Sequence, residues 1–246
     1  MKKILSIVLM AVVFAGSAYA QITVTAGYGL ATHTAKMKSG GLTAKEDPLN
    51  MSGIYVGGSY EFGLLSKSWG DLSINPGLTY SFYGKTLKSE SEEVSGVKIT
   101  AREARYDHYI DLPVNVKYSY DVLPGKLKLS GYAGPIFSFG LAATQVSKAT
   151  AGDDWGVERV NLYTGTVKTK SVVAGEKSTE NVKGEGTDYS MFDLKLGIGV
   201  SANLFETVDV FVGYNFGLLD RYTEPKSDVR TISHTNVLQI GVAYSF

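Results

Sequence analysis

Apolar and polar residues alternate with a period of two along most of the chain, the signature of strands with two unlike faces. At the C-terminus Leu238, Ile240, Val242, Tyr244 and Phe246 point one way, and Gln239, Gly241, Ala243 and Ser245 the other. Val208, Val210, Val212, Tyr214 and Phe216 alternate with Asp209, Phe211, Gly213 and Asn215. Leu194, Leu196, Ile198 and Val200 alternate with Asp193, Lys195, Gly197, Gly199 and Ser201. Between residues 106 and 120 the even positions are apolar or aromatic, apart from His108. Behind them lie Asp107, Tyr109, Asp111, Pro113, Asn115, Lys117 and Ser119. The pattern recurs over residues 22–30, 54–62 and 72–82, and residues 127–141 complete a set of about eight strands. No helix-period apolar stripe appears after residue 20.

These strands run to about 10 residues or more, whereas strands of soluble sandwiches are typically about 5–6. A tilted strand crosses a bilayer in about 9–11. The apolar face is continuous on every strand, and the other face carries Gly, Ser, Asn, Asp and Lys. The expected fold is therefore all-β: a closed antiparallel up-and-down barrel, apolar outside and polar inside, standing in lipid. Closure also pairs every backbone N–H and C=O, which lipid cannot do. The connections alternate in length. Residues 34–50, 87–105, 147–188 and 221–233 are long; 64–70, 121–126 and 205–207 are short. Short periplasmic turns and long extracellular loops are the rule in outer-membrane barrels. Both termini are thus expected in the periplasm. Strand-end aromatics agree with two girdles. Phe62, Tyr118, Tyr120, Phe205 and Phe246 fall at the short-turn end. Tyr106, Phe139, Tyr189, Phe192, Phe216 and Tyr222 fall at the other. The longest connection has strand propensity on both sides of Thr164-Gly165 and is expected to form a projecting hairpin.

The N-terminus stands apart. Lys2 and Lys3 precede an apolar run from Ile4 to Ala15, and Ala18-Tyr19-Ala20 is an A-x-A site. This reads as a signal peptide over residues 1–20, cleaved so that the barrel domain, 21–246, begins at Gln21. The run is too short for a membrane-spanning helix, which needs about 20 residues. The chain has 0 cysteines, so no disulfide holds it and no lipid-bearing cysteine follows the cleavage site. The 24 basic and 24 acidic residues balance, and losing the two signal lysines leaves a slight acidic excess. Nothing points to nucleic acid.

Several segments are similar to one family. Residues 109–118 read Tyr-Ile-Asp-Leu-Pro-Val-Asn-Val-Lys-Tyr, followed by Gly131-Tyr132-Ala133-Gly134-Pro135. Gly197-Ile198-Gly199-Val200, Gly213-Tyr214-Asn215-Phe216-Gly217 and Gly241-Val242-Ala243-Tyr244-Ser245-Phe246 come later. In order and spacing these resemble the small outer-membrane β-barrels of Bacteroidetes-type bacteria often labelled "porin family". The resemblance implies an integral outer-membrane barrel and little about activity, since the family is defined by fold. The chain is expected to be a monomer in contact with outer-membrane lipids. Tyr244 and Phe246 then serve as the terminal signal that barrel-assembly machinery recognises.

An eight-stranded barrel has an interior just wide enough for side chains to fill. Its expected lumen charges fall in two layers: Glu61, Lys117, Lys128 and Asp209 near the periplasm, and Asp107, Asp111, Asp193 and Lys195 nearer the outside. Buried charges need partners, so these are expected to form a structural ion-pair network; a proton or ion path is the alternative. His33, His108 and His234 are placed at or near the extracellular rim. Some barrels of this kind modify lipid A with a rim Ser and His. Ser233 and His234 would be the candidate nucleophile and base here, with Glu224 or Asp228 to orient them. No metal-ligand spacing and no phosphate-binding loop occurs, so no cofactor is expected. Three functions remain open. The first is a non-enzymatic structural or surface barrel acting through its long loops on an extracellular ligand. The second is a small-solute channel, and the third a rim lipid-modifying enzyme.

Overall fold

The computed structural model describes residues 21–39, 42–94, 97–184, 186–187, 189–222 and 230–246. The expected signal segment, with Ala18 and Ala20, lies outside the described residues; Gln21 opens the first strand.

Alternating sequence becomes strand almost throughout. The elements are β1 (Gln21–Ser39), β2 (Leu42–Lys45), β3 (Leu49–Lys67), β4 (Gly70–Val94), β5 (Val97–Leu123) and β6 (Leu127–Ala151). They continue with β7 (Asp154–Asn161), β8 (Val167–Val173), β9 (Glu176–Val182), β10 (Phe192–Leu204), β11 (Val208–Gly217) and β12 (Arg230–Ser245). Every pairing is antiparallel. β1, β3, β4, β5, β6, β10, β11 and β12 form a ring in that order. It closes where β1 pairs β12, from Thr23↔Ser245 up to Lys38↔Arg230. β6 pairs β10 with its lower half and β7 with its upper half. Beyond the ring, β4 to β9 therefore continue as one projecting sheet, while β2 folds back on the end of β1.

The pleat sorts the side chains as expected. Ile54, Val200, Ile240 and Val242 face outward and are more than half exposed. On a closed ring such a continuous apolar belt has only lipid to meet. Ser81, Asp107, Ser138 and Asp193 face inward and are fully buried. The lumen also takes large tyrosines, which the sequence pattern did not lead us to expect. Tyr55 fills the space where a Cβ on Gly27 or Gly241 would lie. Tyr132 does the same over Gly199 and Gly213, and Tyr83 over Gly29. The lumen-facing glycines thus make room for rings from across the barrel.

The long connections are mostly strand. Residues 87–94 and 97–105 continue the paired strands β4 and β5, and residues 34–50 contain the end of β1 and all of β2. The expected hairpin around Thr164-Gly165 is β7–β8, turning through Gly165 at φ 67°. β9 extends it by a strand that was not expected. Aromatic pairs mark both ends of the belt. Trp69 stacks on Tyr118 at the short-turn end; Phe82 on Tyr106, and Phe139 with Phe192, at the other. Tyr189 is a correction: its ring is buried over the barrel mouth and does not join the girdle.

Candidate functional site: the lumen and its outer mouth

Residues two apart on β5 share a face, so Arg105, Asp107, Tyr109 and Asp111 all point inward. The Asp107 carboxylate takes three partners. Arg105 grips it in a fork, with Nε 3.0 Å from Oδ1 and Nη2 3.1 Å from Oδ2. The Tyr109 hydroxyl donates to it at 3.1 Å. From β1, across the lumen, His33 Nε2 approaches to 3.2 Å, while its Nδ1 lies 3.0 Å from Thr235 Oγ1 on β12. Beside this group Arg221, which follows β11, is fully buried. It lies 3.6 Å from Asp193 and donates to the Tyr163 hydroxyl at 3.2 Å. Its guanidinium and that of Arg105 both lie over the Tyr189 ring, at 4.9 and 5.7 Å. Burial pushes the Tyr163 phenol up to about 12, so it stays neutral beside the guanidinium. One layer down, Lys195 donates to Ser138 at 2.9 Å and lies 3.4 Å from Asp111. Side chains from the wall gather at the mouth with three from the connecting segments, Tyr163, Tyr189 and Arg221.

Near the short turns the expected layer divides. Glu61 and Lys117 pair at 2.9 Å, and Ser73 donates to Glu61. Lys128 and Asp209 do not join them. Lys128, the second residue of β6, stands opposite Asp121, one layer lower, and pairs with Asp71 at 3.1 Å and Asp121 at 3.7 Å. Asp209 stands on the far side of the ring and accepts from Asn203 at 2.9 Å. Between the layers lies a cavity of about 150 Å³, lined by Tyr55, Asn115, Lys117, Tyr132 and Asp209 among others. Asn115 Oδ1, Asp209 Oδ1 and the Tyr55 hydroxyl have no protein partner there. Water fits this space, at about 30 Å³ per molecule.

The rim candidates do not assemble. Ser233 is buried and inward. His234, the next residue on the strand, faces out and puts Nδ1 3.0 Å from the Leu219 carbonyl. A hydroxyl and an imidazole on opposite faces of a strand cannot act as nucleophile and base. Glu224 and Asp228 lie outside the described residues. His108 also faces outward, with Nδ1 2.6 Å from the Tyr80 hydroxyl. His33 stands at the outer end of the lumen and faces inward, among the charges. The chain Thr235–His33–Asp107 resembles a catalytic relay, yet Thr235 and Asp107 are fully buried, so no substrate reaches the hydroxyl.

Residues 14–222 match the family described as "Outer membrane protein beta-barrel domain". The chain belongs to this family. It is an integral barrel of the bacterial outer membrane. No curated protein sequence matches it. Among solved structures it is similar to Ail, the attachment invasion locus protein of Yersinia pestis, in complex with the heparin analogue sucrose octasulfate. That match has 14% identity, covers 92% of this chain and 99% of that one, and has a TM-score of 0.36. Neisserial surface protein A matches at 15% identity, over 94% and 99% of the two chains, with a TM-score of 0.37. The outer membrane enzyme PagL matches at 10% identity, over 88% and 98%, with a TM-score of 0.42.

In this outer-membrane barrel the upper lumen layer expected from sequence had three acids and one base. Arg105 and Arg221 supply the missing cations. The acid excess was itself a signal that cations were missing, because unpaired buried carboxylates are costly. Arg105 could also have been found by continuing the inward phase from Asp111 through Asp107.

Proposed function

We propose that this barrel is a non-enzymatic surface protein that meets extracellular ligands through its projecting sheet, its lumen being closed by side chains. The observation that carries this reading is strand length. β4, β5 and β6 run 25, 27 and 25 residues, where about 9–11 cross a bilayer. The surplus, with β7, β8 and β9, builds a broad sheet on one side of the mouth. Meanwhile Asp107, Asp193, Lys195 and Arg221 fill the lumen below it. Two experiments test the two halves. Cells carrying equal amounts of the native barrel, or of one with residues 88–102 and 148–186 replaced by short turns, are compared for adherence. Weaker adherence of the trimmed form is expected; equal adherence overturns the contact role. Steady open-channel conductance of the native protein in planar bilayers overturns the closed lumen.

A second reading, a small-solute conduit, is favoured by the polar cavity and its unpartnered Asn115 and Asp209 oxygens. It requires the Tyr109–Lys195–Arg221 layer to move aside.

A further inference from the structure

The projecting sheet is basic on one side and acidic on the other. Cross-strand register sets Arg102 directly opposite Lys148, and Arg159 directly opposite Lys168. All four lie in phase with Tyr106 and Ile110, on the side that continues the lipid-facing surface. The other side, in phase with Asp107 and the lumen, carries Glu90, Glu92, Glu103, Asp154, Glu158 and Glu180. Lys85 stands on the inner side opposite Arg105, and two further exceptions are neutralised by a neighbouring acid. Lys98 stands opposite Glu93 on the outer side, and Lys88 lies 3.2 Å from Glu90 on the inner. Elsewhere on the rim Lys36 stands directly opposite Lys45, in the outward phase of Tyr28 and Leu30.

Like charges directly opposite each other across strands are destabilising. Three such pairs share the outward side. Among the described residues none of the six cations forms an ion pair. With no paired acid among the described residues, an anionic partner outside the chain would relieve this repulsion. Position narrows its source. Arg102 precedes the girdle aromatic Tyr106 by four residues on β5, about 13 Å along a strand at ~3.3 Å per residue, and less in height because the strand is tilted. The girdle marks the level of the headgroups. Long loops mark the cell-exterior end of an outer-membrane barrel, so these cations overhang the outer leaflet.

We propose that Lys36, Lys45, Arg102, Lys148, Arg159 and Lys168 form a docking surface for the phosphate-bearing headgroups of outer-leaflet lipid. Charge complementarity and continuity with the lipid-facing belt both support that occupant. Juxtamembrane basic clusters recognise anionic headgroups in this way. The acidic side repels the same phosphates, so the sheet turns one fixed side to the leaflet. The inference rests on the outer-membrane placement and is independent of the adhesive role proposed above.

The test uses the full barrel, delipidated in neutral detergent, with lipid A carrying both phosphates and with lipid A stripped of them. The native barrel is expected to bind the phosphorylated form about tenfold or more tightly at low salt, and to lose that preference at high salt. The variant R102Q/K148Q/R159Q/K168Q is expected to lose the preference, while E103Q/E158Q on the opposite side keeps it. Heat-modifiable migration in gels confirms that each variant remains a barrel. Equal binding of the two lipids by the native protein overturns the proposal, as does a preference that survives in the quadruple variant. Equally tight, salt-sensitive binding of a soluble sulfated oligosaccharide, with no preference between the two lipids, would assign the surface to a soluble polyanion and also overturn it.

Discussion

His33 on β1 and Asp107 on β5, the first and fourth strands of the ring, meet across the lumen at 3.2 Å. The two strands share no backbone ladder, so this pair braces the barrel across its bore. Asp107 also anchors Arg105 and Tyr109. Asp107→Ala would leave a guanidinium and an imidazole buried without their acid. Removing one partner of a buried pair costs about 3–5 kcal/mol. The expected outcome is a loss of that size in urea unfolding from lipid vesicles, with His33→Ala losing less. An unchanged midpoint for Asp107→Ala would contradict the brace.

Gly27 and Gly241 give up their side-chain space to the Tyr55 ring. Gly27→Ala would force that ring away from the wall, and overpacking of this kind costs about 1–3 kcal/mol. The double variant Gly27→Ala/Tyr55→Ala is expected to recover part of the loss, because the obstructing ring is gone. Simple additivity of the two changes would show that they do not compete for one space.

Lys117 should couple to Glu61 and not to Asp209. A double-mutant cycle on Glu61 and Lys117 is expected to give an interaction energy of about 0.5–3 kcal/mol, the range for residues in contact. The corresponding cycle on Lys128 and Asp209 is expected near zero. Coupling in the second cycle would restore the single charge layer that their sequence positions suggest.

Arg221 is held at the mouth by Asp193, Tyr163 and Tyr189, and on the proposed closed lumen it forms part of the seal. Arg221→Ala in planar bilayers is expected to give brief conductance steps that the native protein lacks. A silent variant would place the seal deeper, at the Lys195–Asp111 layer.

Two-residue periodicity carried most of the fold, and it assigned Asp107, Asp111, Asp193, Lys195, Glu61, Lys117 and Asp209 to the lumen side. It could not say which of them meet. Pairing across a barrel depends on strand tilt and stagger, which turn sequence position into height. That is why Glu61 and Lys117 came together while Lys128 dropped to Asp71. Periodicity also faded where the strands leave lipid. Outside the bilayer the outward face is no longer apolar, and the contrast that marks a strand vanishes. Arg105 and β9 were lost to that blurring. Arg221, in a connecting segment, had no strand phase to read. His33 has the right phase, with Ala31 and Gly29, but it stands next to a connecting segment, where sequence alone does not separate a rim position from a lumen one.

The pairing of Thr23 with Ser245 has a consequence for biogenesis. The first strand to be synthesised must wait for the last before its outer edge is satisfied. Until then the chain has two open edges that lipid cannot hydrate. Insertion and closure are therefore expected to be a single late event, timed by completion of the final strand. The nascent chain would need to be chaperoned until that moment.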